Sequence, residues 1–360
     1  MAVVVGLALG RFLFLEPSVA PAAIGPAPTT IEGRIDQLER LAADGSEDPN
    51  VFQQLGSSYI IVAAQTGDPL MYTQADAALR RADSLAPDQP ATLIARATLA
   101  NVLHQFDEAH DLATRALDTD PTSIEGLAAL ADAQVELGHY QEAADTVQAM
   151  LDLDPGVPAL SRASYLRQLY GDMPGALRLM HQARAAAGTP YLAAAVDSLL
   201  GEVYTAAGQP AEALAAYEQA ENAWPGMSLA ITGRARSLAM LGRTDEAIEI
   251  LMAETERATA LGPVILLADL LAAQGRGDEA ADAYELVEVI GLLQEEAGAI
   301  VDLELAISRA GRGLDTAVAS AEAVFAARPD NIYAADAMAW ALHRTGRTAE
   351  AVAHIEQALR

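Results

Sequence analysis

Nine alanines, at positions 75, 109, 143, 176, 213, 247, 280, 317 and 351, recur along this chain at intervals of 34, 34, 33, 37, 34, 33, 37 and 34 residues. A fixed period of this length describes one supersecondary unit copied in tandem, because each unit buries its apolar face against the next copy rather than in a single closed core. Proline falls twelve residues after five of these alanines, at Pro87, Pro121, Pro155, Pro225 and Pro329. A small residue at one fixed place and a helix stop at another describe a pair of helices. Nine such pairs occupy residues 48–360 and leave no room for a separate catalytic domain.

Within a unit the remaining landmarks follow from close helix packing. Gly56, Ala131, Gly201, Ala235 and Ala268 put a small residue on the first helix, where the second helix must approach. Gly138, Gly171, Gly208, Gly242, Gly275, Gly311 and Gly346 fall at the end of the first helix, where a left-handed residue is wanted. In the second unit His104 takes the place of that glycine. The first unit carries extra residues near Thr66–Thr73. The sixth and seventh units have Thr259 and Leu292 where the proline is expected, so Val287–Glu296 is expected to prolong a second helix.

These landmarks together resemble the tetratricopeptide repeat (TPR). The fifth unit carries Leu200, Gly201, Tyr204, Gly208, Ala213, Tyr217, Ala220 and Pro225 in the spacing of that family; the first and third units repeat it with Phe52, Leu55, Gly56 and Tyr59, and with Leu127, Leu130, Ala131, Gly138, Tyr140 and Ala143. The resemblance implies an all-α fold, a right-handed α-solenoid of about nine repeats: 49–89, 90–123, 124–156, 157–193, 194–227, 228–260, 261–296, 297–331 and 332–360. It also implies a non-enzymatic scaffold that holds a peptide or helix of a partner in its concave groove. Bacterial members tethered to a membrane or exported serve assembly of envelope complexes; the alternative is a cytoplasmic regulatory or oligomerisation module. The last unit stops within its second helix, so its apolar end face is expected to meet a partner or further residues.

Residues 1–16 are apolar, with Ala2–Leu15 interrupted by one charge at Arg11. Fourteen helical residues reach about 21 Å, short of the roughly 30 Å hydrocarbon core of a bilayer. A partial membrane anchor, an unusual export signal and a packed segment all fit. Residues 17–29 contain four prolines and are expected to form an extended linker. Residues 30–47 hold a capping helix, with Thr29 and Glu32 in capping-box spacing and Ile31, Ile35, Leu38 and Leu41 at helical spacing. A tethered array outside the cytoplasm is the preferred reading of this arrangement, a cytoplasmic protein the other.

The net charge is −28, and all 22 basic residues are arginine. An acidic surface repels phosphate backbones, which argues against nucleic acid and for a basic or amide-rich protein segment. Without lysine there is no Schiff-base or P-loop chemistry, and without cysteine no thiolate chemistry. No nucleophile, phosphate-loop or metalloprotease motif is present; no cofactor and no metal are expected. His104 and His139, near corresponding turns, are too far apart to share an ion and are expected to be exposed.

The family resemblance places the first helices on the concave face. By register, the groove candidates for partner binding are Asp132, Tyr165, Glu202, Arg236, Asp269, Asp336 and Trp340. The carboxylates among them would favour a basic or amide-rich segment. Trp340, on an alanine-rich helix, is a candidate anchor for a ligand side chain, with stacking between repeats as its other role. Trp224 is expected to pack between repeats.

Overall fold

A computed structural model describes residues 30–258, 260–300 and 302–359. The apolar start and the Pro-rich linker lie outside them. Among the described residues all regular structure is helical. After α1 (Ile31–Ala43) the chain forms α2 (Pro49–Thr66), α3 (Pro69–Leu85), α4 (Pro90–Val102), α5 (Phe106–Thr119), α6 (Ile124–Leu137) and α7 (Tyr140–Leu153). It continues through α8 (Val157–Leu169), α9 (Met173–Ala186), α10 (Pro190–Ala206), α11 (Pro210–Ala223), α12 (Ser228–Met240) and α13 (Thr244–Arg257). The last third contains α14 (Leu261–Ala273), α15 (Gly277–Glu296), α16 (Leu303–Arg312), α17 (Ala317–Ala327), α18 (Ile332–Arg344) and α19 (Thr348–Ala358). From α2 onward, each even-numbered helix pairs with the next odd-numbered one. No helix among the described residues is long and apolar enough to cross a membrane.

Local chemistry sets the helix boundaries. Asp48 and Asp68 cap α2 and α3 by accepting from the amides of Asn50 and Leu70, and a proline opens each helix where its missing N–H costs nothing. Ser123, Asp172, Thr189, Asp302 and Asn331 cap α6, α9, α10, α16 and α18 in the same way. The turn between paired helices is left-handed at Gly138, Gly171, Gly208, Gly242, Gly275 and Gly346, and at His104, whose φ is +59°. In the eighth unit the left-handed residue is Gly313; Gly311 is still inside α16. α16 is the shortest described helix, at 10 residues, and the extra residue in this unit moves its stop by two positions. The first unit absorbs its additional residues as longer helices of 18 and 17 residues, and α15 runs for 20.

All nine recurring alanines lie on the second helix of their pair and none is more than 6% exposed. Each marks the place where the two helices cross, so a methyl group there sets the interhelical distance. Ala213→Leu is therefore expected to cost about 1–3 kcal/mol by overpacking. Ala215→Leu, on the exposed side of the same helix, is expected to change stability by less than about 0.5 kcal/mol. Urea unfolding of the two variants checks both values. At the N-terminal end, α1 buries Leu38 against Val51, Leu55 and Tyr59 of α2.

A solenoid of this kind predicts contacts between neighbouring units only. The structure departs from that: the array curls until its early and late units touch. Ile300 N–H donates to Leu103 O (3.0 Å), and Gln105 Nε2 donates to Gly298 O (2.7 Å). Asn331 Nδ2 donates to Glu136 O (3.0 Å), and Ile332 N–H donates to the Tyr140 hydroxyl (2.9 Å). The Arg328 guanidinium, only 5% exposed, pairs with Glu136 and lies over the Phe106 ring at 5.1 Å. Gly138 sits against the backbone of Asp330 so closely that a Cβ would fall 2.3 Å from its carbonyl carbon. Partly buried Ala299 packs into the first hydrophobic cluster, beside Leu99 and Leu103. The small rotation between successive units accumulates until the chain meets itself, and a glycine and a buried ion pair fasten the seam.

Candidate binding groove

The first helices of three successive pairs, α6, α8 and α10, wall a small hollow with about 40 Å³ of free space. Val135, Leu166, Leu199 and Val203 line it from these helices, and Val147 of α7 and Met180 of α9 contribute from behind. The same hollow contains Asp132, Tyr165 and Glu202, so three of the seven expected groove positions converge there. Ser161, Arg162, Ser164 and Gln168 complete its polar lining.

The carboxylates in this hollow are not free to attract cations. Asp132 is buried and receives a two-pronged contact from Arg162, Nε at 2.9 Å and Nη2 at 2.6 Å. Glu202 is buried too; it accepts from the Tyr217 hydroxyl at 2.8 Å and faces Arg236 Nη1 at 3.4 Å. Arg236 is thus a buried internal counter-charge. Burial, with the Glu202 charge adding to it, pushes the Tyr217 phenol well above its ordinary pKa, so it stays a neutral donor. What the hollow offers is an apolar wall, two neutralised ion pairs and one unmet polar atom. Gln168 is buried, 8% exposed, and its Oε1 has no hydrogen-bond partner. A buried amide oxygen without a donor costs about 1–3 kcal/mol, which an N–H that displaces the side chains covering it would recover.

The other expected positions lie farther along the array. Asp269 accepts from the Tyr284 hydroxyl at 2.7 Å, and Arg312 covers the Tyr284 ring at 4.7 Å. Partial desolvation raises the Asp269 carboxyl above the usual carboxylate range, although the tyrosine hydrogen bond works the other way. Burial alone raises Asp336. Its folded-state pKa lies above the unfolded one, so the folded state gives up stability as pH rises through that interval. Asp336→Asn is accordingly expected to raise the melting temperature at pH 7 and to change it little below about pH 3. Thermal unfolding at the two pH values checks this. Trp340 is partly covered in the last cluster, with Arg344 over its ring at 5.5 Å.

The structure places Trp224 and changes the assignment of His104. Trp224 packs edge-on against Tyr191 of α10 with ring centroids 5.4 Å apart. Tyr191 opens α10 and falls in 157–193, whereas Trp224 follows α11 in 194–227, so the contact crosses the expected repeat boundary. His104 is not an exposed turn histidine: its side chain is 16% exposed, stacked on Phe106 at 5.6 Å and 3.7 Å from Asp302 across the seam. Curling of the array brings that cover from nearly the other end of the chain.

Sequence reasoning missed Arg162 and Gln168. A signal for the ion pairs was present: Glu202 and Arg236 are one repeat apart, at equivalent positions on successive first helices, and such positions face each other. Gln168 gives no comparable signal.

Tetratricopeptide repeat models match residues 103–169 and 204–259, 170–228, and 262–285 and 332–357, together more than half of the chain. No curated protein sequence matches it. Among solved structures, the human IFIT1 dimer with PPP-AAAA is similar at 15% identity and a TM-score of 0.54, over 91% of this chain and 78% of that one. Yeast Tom70 is similar at 16% identity and a TM-score of 0.55, over 81% and 68%. TTC0263, a TPR protein of Thermus thermophilus, shares 20% identity over 59% of this chain and 99% of its own, with a TM-score of 0.43. At these identities the structural likeness speaks for the fold alone. The serial helix pairs, their recurring alanines and the matched repeats agree, and the chain belongs to the tetratricopeptide repeat family.

Proposed function

We propose that this protein is a non-enzymatic scaffold that holds a segment of a partner protein in the hollow formed by α6, α8 and α10. The observation that carries this reading is Gln168 Oε1, buried without a donor among apolar side chains. An amide-bearing segment with one apolar anchor suits such a place: the anchor fills the space between Leu166, Leu199 and Val203, and an N–H meets Gln168. The preference for a basic segment moves away from Asp132 and Glu202, which Arg162 and Arg236 already neutralise. It falls on Asp269 and Asp336 farther along. A net charge of −28 favours protein over nucleic acid as the partner.

The test is selection of binders from a displayed random peptide library, followed by fluorescence anisotropy on the purified chain. Selected peptides are expected to share an apolar residue beside asparagine or glutamine. Leu199→Asp and Tyr165→Ala are expected to weaken them at least about tenfold, the effect of losing about 1.4 kcal/mol. Tyr170→Ala, at a residue 66% exposed outside the hollow, is expected to leave affinity unchanged. Binders insensitive to both hollow variants would contradict the assignment.

A further inference from the structure

We propose a metal site formed by His110, His139 and Glu142, which would take a divalent ion of the zinc class. His110 lies on α5, His139 is the residue immediately before α7, and Glu142 is in the first turn of α7. One ligand atom from each of the three lies within 4.8 Å of the other two. His139 Nδ1 and Glu142 Oε2 are 3.4 Å apart. That is the separation of two tetrahedral ligands that each sit about 2.0–2.2 Å from a zinc ion. The His110 and His139 rings meet edge to face, with centroids 6.3 Å apart. Closing the remaining gap asks only for side-chain rotation, and all three side chains are at least 31% exposed.

The donor set decides the ion. Two imidazoles and one carboxylate suit zinc and its transition-metal neighbours, whereas magnesium and calcium take oxygen ligands. Three protein ligands leave a fourth position open for water or for a group from a partner. Asp111 Oδ1 lies 3.8 Å from His110 Nδ1, which puts a further negative charge near the site without a hydrogen bond to the ring. The positive end of the α7 dipole opposes a cation, and Glu142 and Asp111 offset it.

The spacing of the site within the fold gives it a consequence. It joins the second helix of one pair to that of the next. The same helices carry Phe106 and Tyr140, which meet Arg328 and Ile332 across the seam. An ion bound there clamps two neighbouring units on one side of the closure, so it is expected to stabilise the closed array in proportion to its occupancy.

Calorimetric titration of the EDTA-treated full chain with zinc chloride tests the assignment, with magnesium and calcium chloride as parallel arms. The expected result is one saturable zinc site, no comparable magnesium or calcium site, and a melting temperature that rises with zinc. His110→Ala and His139→Ala, each first shown by circular dichroism to melt as the parent does in EDTA, are expected to weaken zinc at least about tenfold. His181→Ala is expected to bind as the parent. Cobalt chloride is expected to give a visible ligand-field band that the first two variants lose. Zinc affinity in His110→Ala and His139→Ala as high as in the parent, magnesium binding as tight as zinc, or no saturable zinc site would each overturn the proposal.

Discussion

Gly138→Ala is expected to open the seam and to cost on the order of 2–4 kcal/mol, near the upper end of what single substitutions do. Two effects add. The residue has φ +85°, where a side chain costs about 1 kcal/mol. Its new Cβ would lie 2.3 Å from the carbonyl carbon and oxygen of Asp330 and 2.8 Å from Asn331 N, and these are backbone atoms that cannot swing aside. Relief requires the late units to withdraw, which breaks the Asn331 and Ile332 hydrogen bonds and separates Arg328 from Glu136. Gly208→Ala is the matched comparison. It has the same left-handed backbone, at φ +70°, but nothing within 4 Å of a Cβ. It is expected to cost about 1 kcal/mol without any change of shape. Urea unfolding gives the energies. Small-angle scattering checks the shape: the radius of gyration is expected to grow for Gly138→Ala only.

Gly233→Ala is expected to be destabilising by about 1–3 kcal/mol or more, although alanine is the better helix former by about 1 kcal/mol. The added Cβ would sit 2.2 Å from the Tyr217 ring. That ring has nowhere to go. It is fully buried, Gly201 backs it from α10 so closely that a Cβ there would fall 2.6 Å away, and its hydroxyl is held by Glu202. Tyr217→Ala alone is expected to cost about 3–5 kcal/mol through the cavity it leaves. The double variant supplies the check. Once the ring is gone the Cβ meets no obstacle, so Gly233→Ala on the Tyr217→Ala background is expected to cost nothing further or to stabilise. Additive losses in that cycle would show that the two residues do not compete for one space.

How much of this architecture the chain displays depends on distance along it. The crossing alanines and most turn glycines are legible because the period repeats them in register, and one methyl group too many at any of them would part a helix pair. Gly311 and Gly313 show the limit: the pattern marks a turn, and which glycine turns left depends on where α16 runs out. The seam is illegible because its partners, such as Arg328 and Glu136, are 192 residues apart. Their meeting depends on the summed rotation of the intervening units, and no local pattern encodes that sum. The groove was half legible. Register places Asp132, Tyr165 and Glu202 on one face, but it does not show that Asp132 is neutralised, because Arg162 lies 30 residues away. The pairing of His110 with His139 is hidden for a related reason: the repeat period aligns His139 with His104 at the equivalent turn, whereas its neighbour in space is on the helix beyond that turn.

The second and third units of this tandem helical array close against its eighth and ninth. Because the chain contains no cysteine, two introduced cysteines give a clean pair of spin labels. Labels at the exposed residues Gln141 and Glu322, which flank the seam on either side, report its geometry by pulsed electron double resonance. A single narrow distribution at short separation, broadened and lengthened by Gly138→Ala, is the predicted result. A broad, long distribution in the parent chain, unchanged by Gly138→Ala, would contradict the closure.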